Sequence, residues 1–143
     1  MGNRAVIAFV DDKGKQDKNS VGIYLHWNGG RDSVEGFLQA AKDYGIRSGS
    51  YGVARLTQII CNSLPGTLSV GVGVVKKLDC DNWDNGVYWV DKEFNIVGRE
   101  YVEKYQHGNY QEQQVYKLAD FVKEVKKDND FVYNQDPYKK LAS

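Results

Sequence analysis

The chain holds few of the residues that carry catalysis or covalent bracing. It has two cysteines, two histidines, two prolines, one methionine and no net charge. Cys61 and Cys80 cannot build a disulfide framework and do not form a CxxC pair, which predicts reduced thiols. His26 and His107 lack the HExxH or Cys-His spacing of a zinc site. No GxSxG, Walker A or GxGxxG pattern occurs. Zero net charge argues against bulk nucleic acid and anionic membranes, which select neutralising lysines and arginines. No run approaches the roughly 18 apolar residues of a membrane-spanning helix. The opening residues lack a signal-peptide pattern, and Val6 stands where myristoylation needs Ser or Thr. These absences predict a cytosolic protein with no cofactor and no membrane partner.

What the 143 residues do contain suits one core, being 41% hydrophobic and 13% aromatic. Ala5 to Val10 is continuously apolar and predicts a strand buried on both faces. A polar stretch, Asp11 to Ser20, reads as a long hairpin loop or mobile tip. Val21 to Trp27 then alternates, with Val21, Ile23, Leu25 and Trp27 on one face. Ser33 to Tyr44 has helical spacing, a box-like start in Asp32 and Glu35, and a stop at Gly45. A second helix is predicted over Tyr51 to Leu64, capped by Ser50 and halted by Pro65-Gly66. Leu68 to Val75 alternates valines with Ser69, Gly71 and Gly73, a small-residue face open to close approach. Val87 to Asp91 and Ile96 to Tyr101 predict a hairpin, and Tyr110 to Lys127 a last helix on Val115, Leu118, Phe121, Val122 and Val125.

The resulting fold class is α+β. A mainly antiparallel sheet of about five strands takes two helices after its first hairpin and one at the C-terminus, with the helices on one face. One domain spans 1–127 and a tail spans 128–143.

Two segments are candidates for chemistry. Asp79 to Gly86 is dense in Asp and Asn but places Trp83 and Asp84 where a calcium loop needs an oxygen ligand and Gly. An Asx-rich turn is the plainer reading, and no metal site is expected. The other is a pair of helix starts, Trp27-Asn28-Gly29-Gly30-Arg31-Asp32-Ser33 and Arg47-Ser48-Gly49-Ser50-Tyr51. Helix N-termini suit anions, and arginine forks onto phosphate. Three of the chain's five arginines, Arg31, Arg47 and Arg55, fall in or just after these starts. Brought together, they would line a small basic, aromatic pocket. Set apart, they are ordinary capped turns with surface arginines.

Several segments are distinctive as strings: Gly2 to Ile7, Gly22 to Glu35, Asp81 to Tyr88 and Val97 to Glu100. They resemble small proteins of tailed bacteriophages and prophages that carry no assigned function. The resemblance covers Gly2 to Tyr101, leaving out the Asp11 to Ser20 loop. It implies an accessory, anti-defence setting in which a small protein sequesters a nucleotide-type immune signal or occludes a host complex. The expected function is therefore non-enzymatic capture of a small anionic nucleotide-like ligand by a homo-oligomer. Arg31, Arg47 and Arg55 would hold phosphate, Trp27 and Tyr51 would stack on a base, and Asn28 and Ser33 would orient it. One alternative is an inhibitor of a host defence protein, anchored by Trp83, Tyr88, Trp89, Phe131, Tyr133 and Tyr138. Another is a small nucleotide-processing enzyme with His26 or His107 as acid or base.

Overall fold

A computed structural model describes residues 2–66, 68–100 and 117–134. The order is β1 (Ala5–Phe9), β2 (Val21–Leu25), α1 (Arg31–Asp43), α2 (Ser50–Ser63), β3 (Val70–Val74), β4 (Val87–Val90), β5 (Ile96–Glu100) and α3 (Leu118–Tyr133). The fold is α+β, as the pattern predicts. The sheet runs β3-β2-β1-β4-β5, antiparallel throughout except where β1 and β4 lie parallel. That pair is parallel because β4 enters the sheet only after the chain has left β3, at one edge, and crossed to the far side of β1.

The crossing explains the small residues of β2 and β3. Residues 75–86 pass over the face away from the helices, opening with a 3-10 turn at Val75–Lys77. Val75 packs with Val6, Ala8, Val87 and Trp89, against which Leu78 and Cys80 lie. A Cβ on Gly22 would stand 2.8 Å from Val75 Cγ2, and one on Gly73 3.2 Å from Leu78 Cδ2. Glycine is needed there because the connection lies directly on the strands.

The main core lies on the other face, between the sheet and the three helices. Ala5, Ile7, Ile23, Leu25, Tyr88 and Val90 meet Phe37, Leu38, Leu56, Ile59, Ile60 and Val125. β1 is buried on both faces because each face has its own cover. β2 is shorter than its alternation suggests. It ends at Leu25, leaving Val21 and Trp27 exposed while Ile23 and Leu25 are buried.

The helix boundaries carry three corrections. α1 starts at Arg31 after Gly30, so Asp32 lies inside the helix and caps nothing: its Oδ1 accepts from Ser33 N–H at 2.7 Å. Gly49, with φ 74°, precedes α2, so Ser50 is the first helical residue rather than its cap. α3 runs past Lys127 to Tyr133, and the earlier part of the predicted helix, 110–116, lies outside the described residues. Its buried stripe is Val122, Val125, Asn129 and Tyr133, and Phe121 sits at the rim. Asp128-Asn129-Asp130 disguises the helical period there. Asn129 is nonetheless fully buried, donating to the carbonyls of Val125 (2.8 Å) and Ile59 (3.2 Å) and accepting from Asn62 Nδ2 (2.9 Å). Tyr133 stacks on Tyr44 with ring centroids 4.8 Å apart.

Candidate functional site

The two helix starts stand at opposite ends of the sheet. α1 begins where β1 begins: Gly29 N–H donates to Asn3 O at 2.8 Å. α2 begins where β1 ends: Ser48 and Gly49 line a cleft with Phe9 and Val10. Arg31 therefore does not converge with Arg47 and Arg55. Each arginine is engaged locally. Arg31 places Nε and Nη2 on Glu35 Oε1 at 3.2 and 3.1 Å, one helical turn away. The Arg47 guanidinium lies 5.5 Å from the centroid of the Tyr51 ring. Arg55 Nη1 donates to Gln58 Oε1 at 3.1 Å. The cleft at the start of α2 also carries Asp11, Asp12 and Asp17, which disfavour an anion.

The end where β1 and β4 begin gathers the polar and aromatic groups. Alternation along β2 and its continuation puts Tyr24 and His26 on one face. The Tyr24 hydroxyl lies 2.9 Å from His26 Nδ1, and His26 meets Trp27 edge-on at 5.4 Å between centroids. With Leu68, Ser69, Val70 and Gly71 these rings line an open, shallow pocket of about 430 Å³. Trp27 (42%) and Leu68 (97%) are exposed at its mouth. Gly71 thus serves the pocket, whereas Gly73 is closed by Leu78.

The backbone around the pocket is under constraint. Asn28, Leu68 and Trp83 have φ of 59°, 52° and 65°, left-handed values that side chains tolerate poorly. All three lie on loops at this end, where surrounding contacts have to hold them. For the loop after β2 the holdfasts are His26 N–H to Ser69 O at 3.0 Å, Asn3 N–H to His26 O at 2.9 Å, and Tyr88 Oη to Gly29 O at 2.7 Å.

For residues 79–86 the holdfast is Arg4. Its backbone N–H and its Nε both donate to Asp84 Oδ2, at 3.0 and 2.8 Å, and Nη1 lies 3.6 Å from Asp79. Asp84 holds the Arg4 guanidinium above its ordinary pKa. Asn82, fully buried, donates to Asp79 O and accepts from the N–H groups of Asp84 and Gly86. This is the Asx-rich turn the sequence predicts. Among the described residues, no three His, Cys, Asp or Glu side chains group as a metal site. The Tyr24 phenol is pushed up by burial and by the charge of Asp79, with Arg4 pulling the other way. It stays neutral at physiological pH.

Of the sequence candidates, Trp27 lines the pocket, and Asn28, Arg31 and Ser33 follow it into α1. Arg47, Tyr51 and Arg55 belong to the other end. Sequence reasoning does not single out Tyr24, Leu68, Ser69 and Gly71 as site residues. Tyr24 shares a strand face with His26, which is a usable signal, but nothing local ties Leu68 to Trp27. The aromatic anchors of the inhibitor reading divide too. Tyr88, Trp89 and Tyr133 are buried in the core, while Trp83 and Phe131 are exposed. Tyr138 and His107 lie outside the described residues. Among the described residues, no helix is long and apolar enough to cross a membrane. No family model, curated protein or solved structure matches the chain.

Proposed function

We propose that the chain is a non-enzymatic binding protein that captures a small planar ligand bearing a nucleobase, in the pocket of Tyr24, His26, Trp27 and Leu68. The observation that carries this reading is the pocket's make-up. A volume of about 430 Å³ falls in the usual range for small-molecule sites, and exposed Trp27 offers a stacking face. His26 and Tyr24 supply hydrogen bonds at the ring's edge. Asn28, Arg31 and Ser33 lead from Trp27 toward the start of α1, on the side where a phosphate would lie. In the phage setting implied by the resemblance, the ligand is a nucleotide-type immune signal and the activity is sequestration.

The hydrogen-bonded Tyr24–His26 pair favours a second reading, an enzyme with His26 as proton carrier. One experiment separates the two. Purified protein is titrated calorimetrically with cyclic dinucleotides, cyclic trinucleotides and cyclic ADP-ribose derivatives, and each mixture is then chromatographed. Binding with the ligand recovered intact is expected. Trp27→Ala should weaken it by ~1–3 kcal/mol, the usual worth of one aromatic stack. A chemically altered ligand, lost in His26→Ala, would establish the enzyme instead. Silence across the panel would overturn both and return attention to a protein partner at Trp83.

A further inference from the structure

We propose that β3 pairs with β3 of a second copy, antiparallel about Val72, and that this dimer brings a basic turn from the partner to the lip of the aromatic pocket. The dimer stands on the edge strand alone. The completed pocket rests on the binding reading above.

β3 is one edge of the sheet, and among the described residues no strand pairs with its outer side. Edge strands normally carry a lysine, a proline, a bulge or an inward charge that blocks pairing with another molecule. Val70–Val74 carries none of these. Its register with β2 is unbroken from Val70 to Val74, and its residues are only valine and glycine. The margin beside it is bare as well. Val72 is 55% exposed, and Val21, opposite Val74, is 44% exposed.

The sequence of the strand names the occupant. Val-Gly-Val-Gly-Val reads the same in both directions. Antiparallel self-pairing about Val72 therefore sets valine against valine and glycine against glycine at every position. A closed two-fold interface requires such self-complementarity. The two five-stranded sheets would join into one, with the helices of both copies on the same face.

The same symmetry reaches the pocket. Leu68 and Ser69 precede β3 and line the pocket, and the exposed Lys76 and Lys77 follow it. Reversal of the strand about Val72 carries the partner's Lys76–Lys77 turn toward Leu68 and Ser69. Inside one copy the nearby cations are already engaged, Arg4 with Asp84 and Arg31 with Glu35. The partner's lysines supply positive charge for the phosphate of a ligand whose base lies on Trp27.

Light scattering across a wide concentration range should give twice the 16.2 kDa chain mass. Val72→Lys should give the single mass with an unchanged circular dichroism spectrum, because Val72 is exposed and like charges then face each other across the axis. Val72→Cys in a Cys61→Ser background should cross-link on oxidation, since opposed antiparallel residues lie within the ~4.4–6.8 Å Cα range of a disulfide. A single mass for the wild type at every concentration would overturn the dimer, as would a dimer that Val72→Lys leaves whole and Val72→Cys fails to cross-link. For the pocket, Lys76→Glu should weaken adenosine monophosphate about tenfold and leave adenosine unmoved. Unchanged monophosphate affinity would overturn the completed pocket. Failure of the wild-type dimer to bind either probe would overturn the pocket together with the binding reading, while the dimer is judged by its mass alone.

Discussion

The hydroxyl of Tyr24 lies 2.9 Å from Nδ1 of His26, two residues on along the same strand face. A phenol that donates here leaves Nδ1 as the acceptor and puts the ring proton on Nε2. Imidazole nitrogen chemical shifts should therefore report the Nε2–H tautomer. Tyr24→Phe removes the donor and should shift the population toward Nδ1–H. Identical spectra in both proteins would mean that the hydroxyl does not fix the ring.

The ion pair of Arg31 with Glu35 sets a second expectation. A phosphate arriving at the start of α1 competes with the Glu35 carboxylate for the guanidinium. Glu35→Gln keeps the side-chain shape and removes the competing charge. It should tighten phosphorylated ligands several-fold and leave nucleosides unchanged, as calorimetry can measure. Its effect on stability should be small, about 0.3–0.5 kcal/mol, as for helical ion pairs one turn apart. Equal affinity in both proteins would remove Arg31 from the site.

Asn129 is the polar pin between α2 and α3. Its amide is wholly buried, and it serves Ile59, Val125 and Asn62. Asn129→Ala removes those bonds, leaving the Asn62 amide without its acceptor, and should cost about 1–3 kcal/mol in urea unfolding with an unchanged slope. A loss under ~0.5 kcal/mol, the usual range for surface changes, would mean that solvent reaches the junction.

Tyr44 makes the fold sensitive to alkali. Its hydroxyl donates to Asp130 Oδ1 at 2.7 Å, and burial, then that bond and the nearby carboxylate, push the phenol far above its ordinary value. The folded chain keeps a proton that the unfolded chain loses near pH 10. The stabilisation is whole below that pH and declines as pH rises beyond it. Tyr44→Phe should be less stable at neutral pH by ~1 kcal/mol, for the lost hydrogen bond, yet show a shallower alkaline decline. Parallel stability curves would assign the alkaline loss to other groups.

Strand and helix placement is legible wherever burial follows a period. β1, the β4–β5 hairpin, α1 and α2 all lie within a few residues of where spacing puts them. The misreadings have local causes. Ser50 and Asp32 have the right chemistry for caps, but glycines precede both helices and take the turn. α3 hides its last turns behind Asp128, Asn129 and Asp130, because a satisfied buried amide looks like a surface residue in sequence. The site is half legible. Trp27 and Asn28 lie where the sequence points, and His26 stands out for its chemistry. The separation of Arg31 from Arg47 and Arg55 depends on which end of the sheet each helix starts from, and no local pattern encodes that. The bond between Arg4 and Asp84 joins residues 80 apart in sequence, beyond the reach of any spacing rule.

The parallel pairing of β1 with β4 imposes an order on synthesis. The earliest of the described strands, Ala-Val-Ile-Ala-Phe, is wholly apolar, and β2 can cover only one of its edges. The other edge waits for Val87–Val90, which leaves the ribosome only after both central helices have emerged. Until then the nascent chain displays an unpaired, sticky edge, the kind of surface on which chains co-aggregate. Fragments truncated before Val87 should therefore be insoluble or bound to chaperones, and slow decoding of the stretch before β4 would lengthen that exposure.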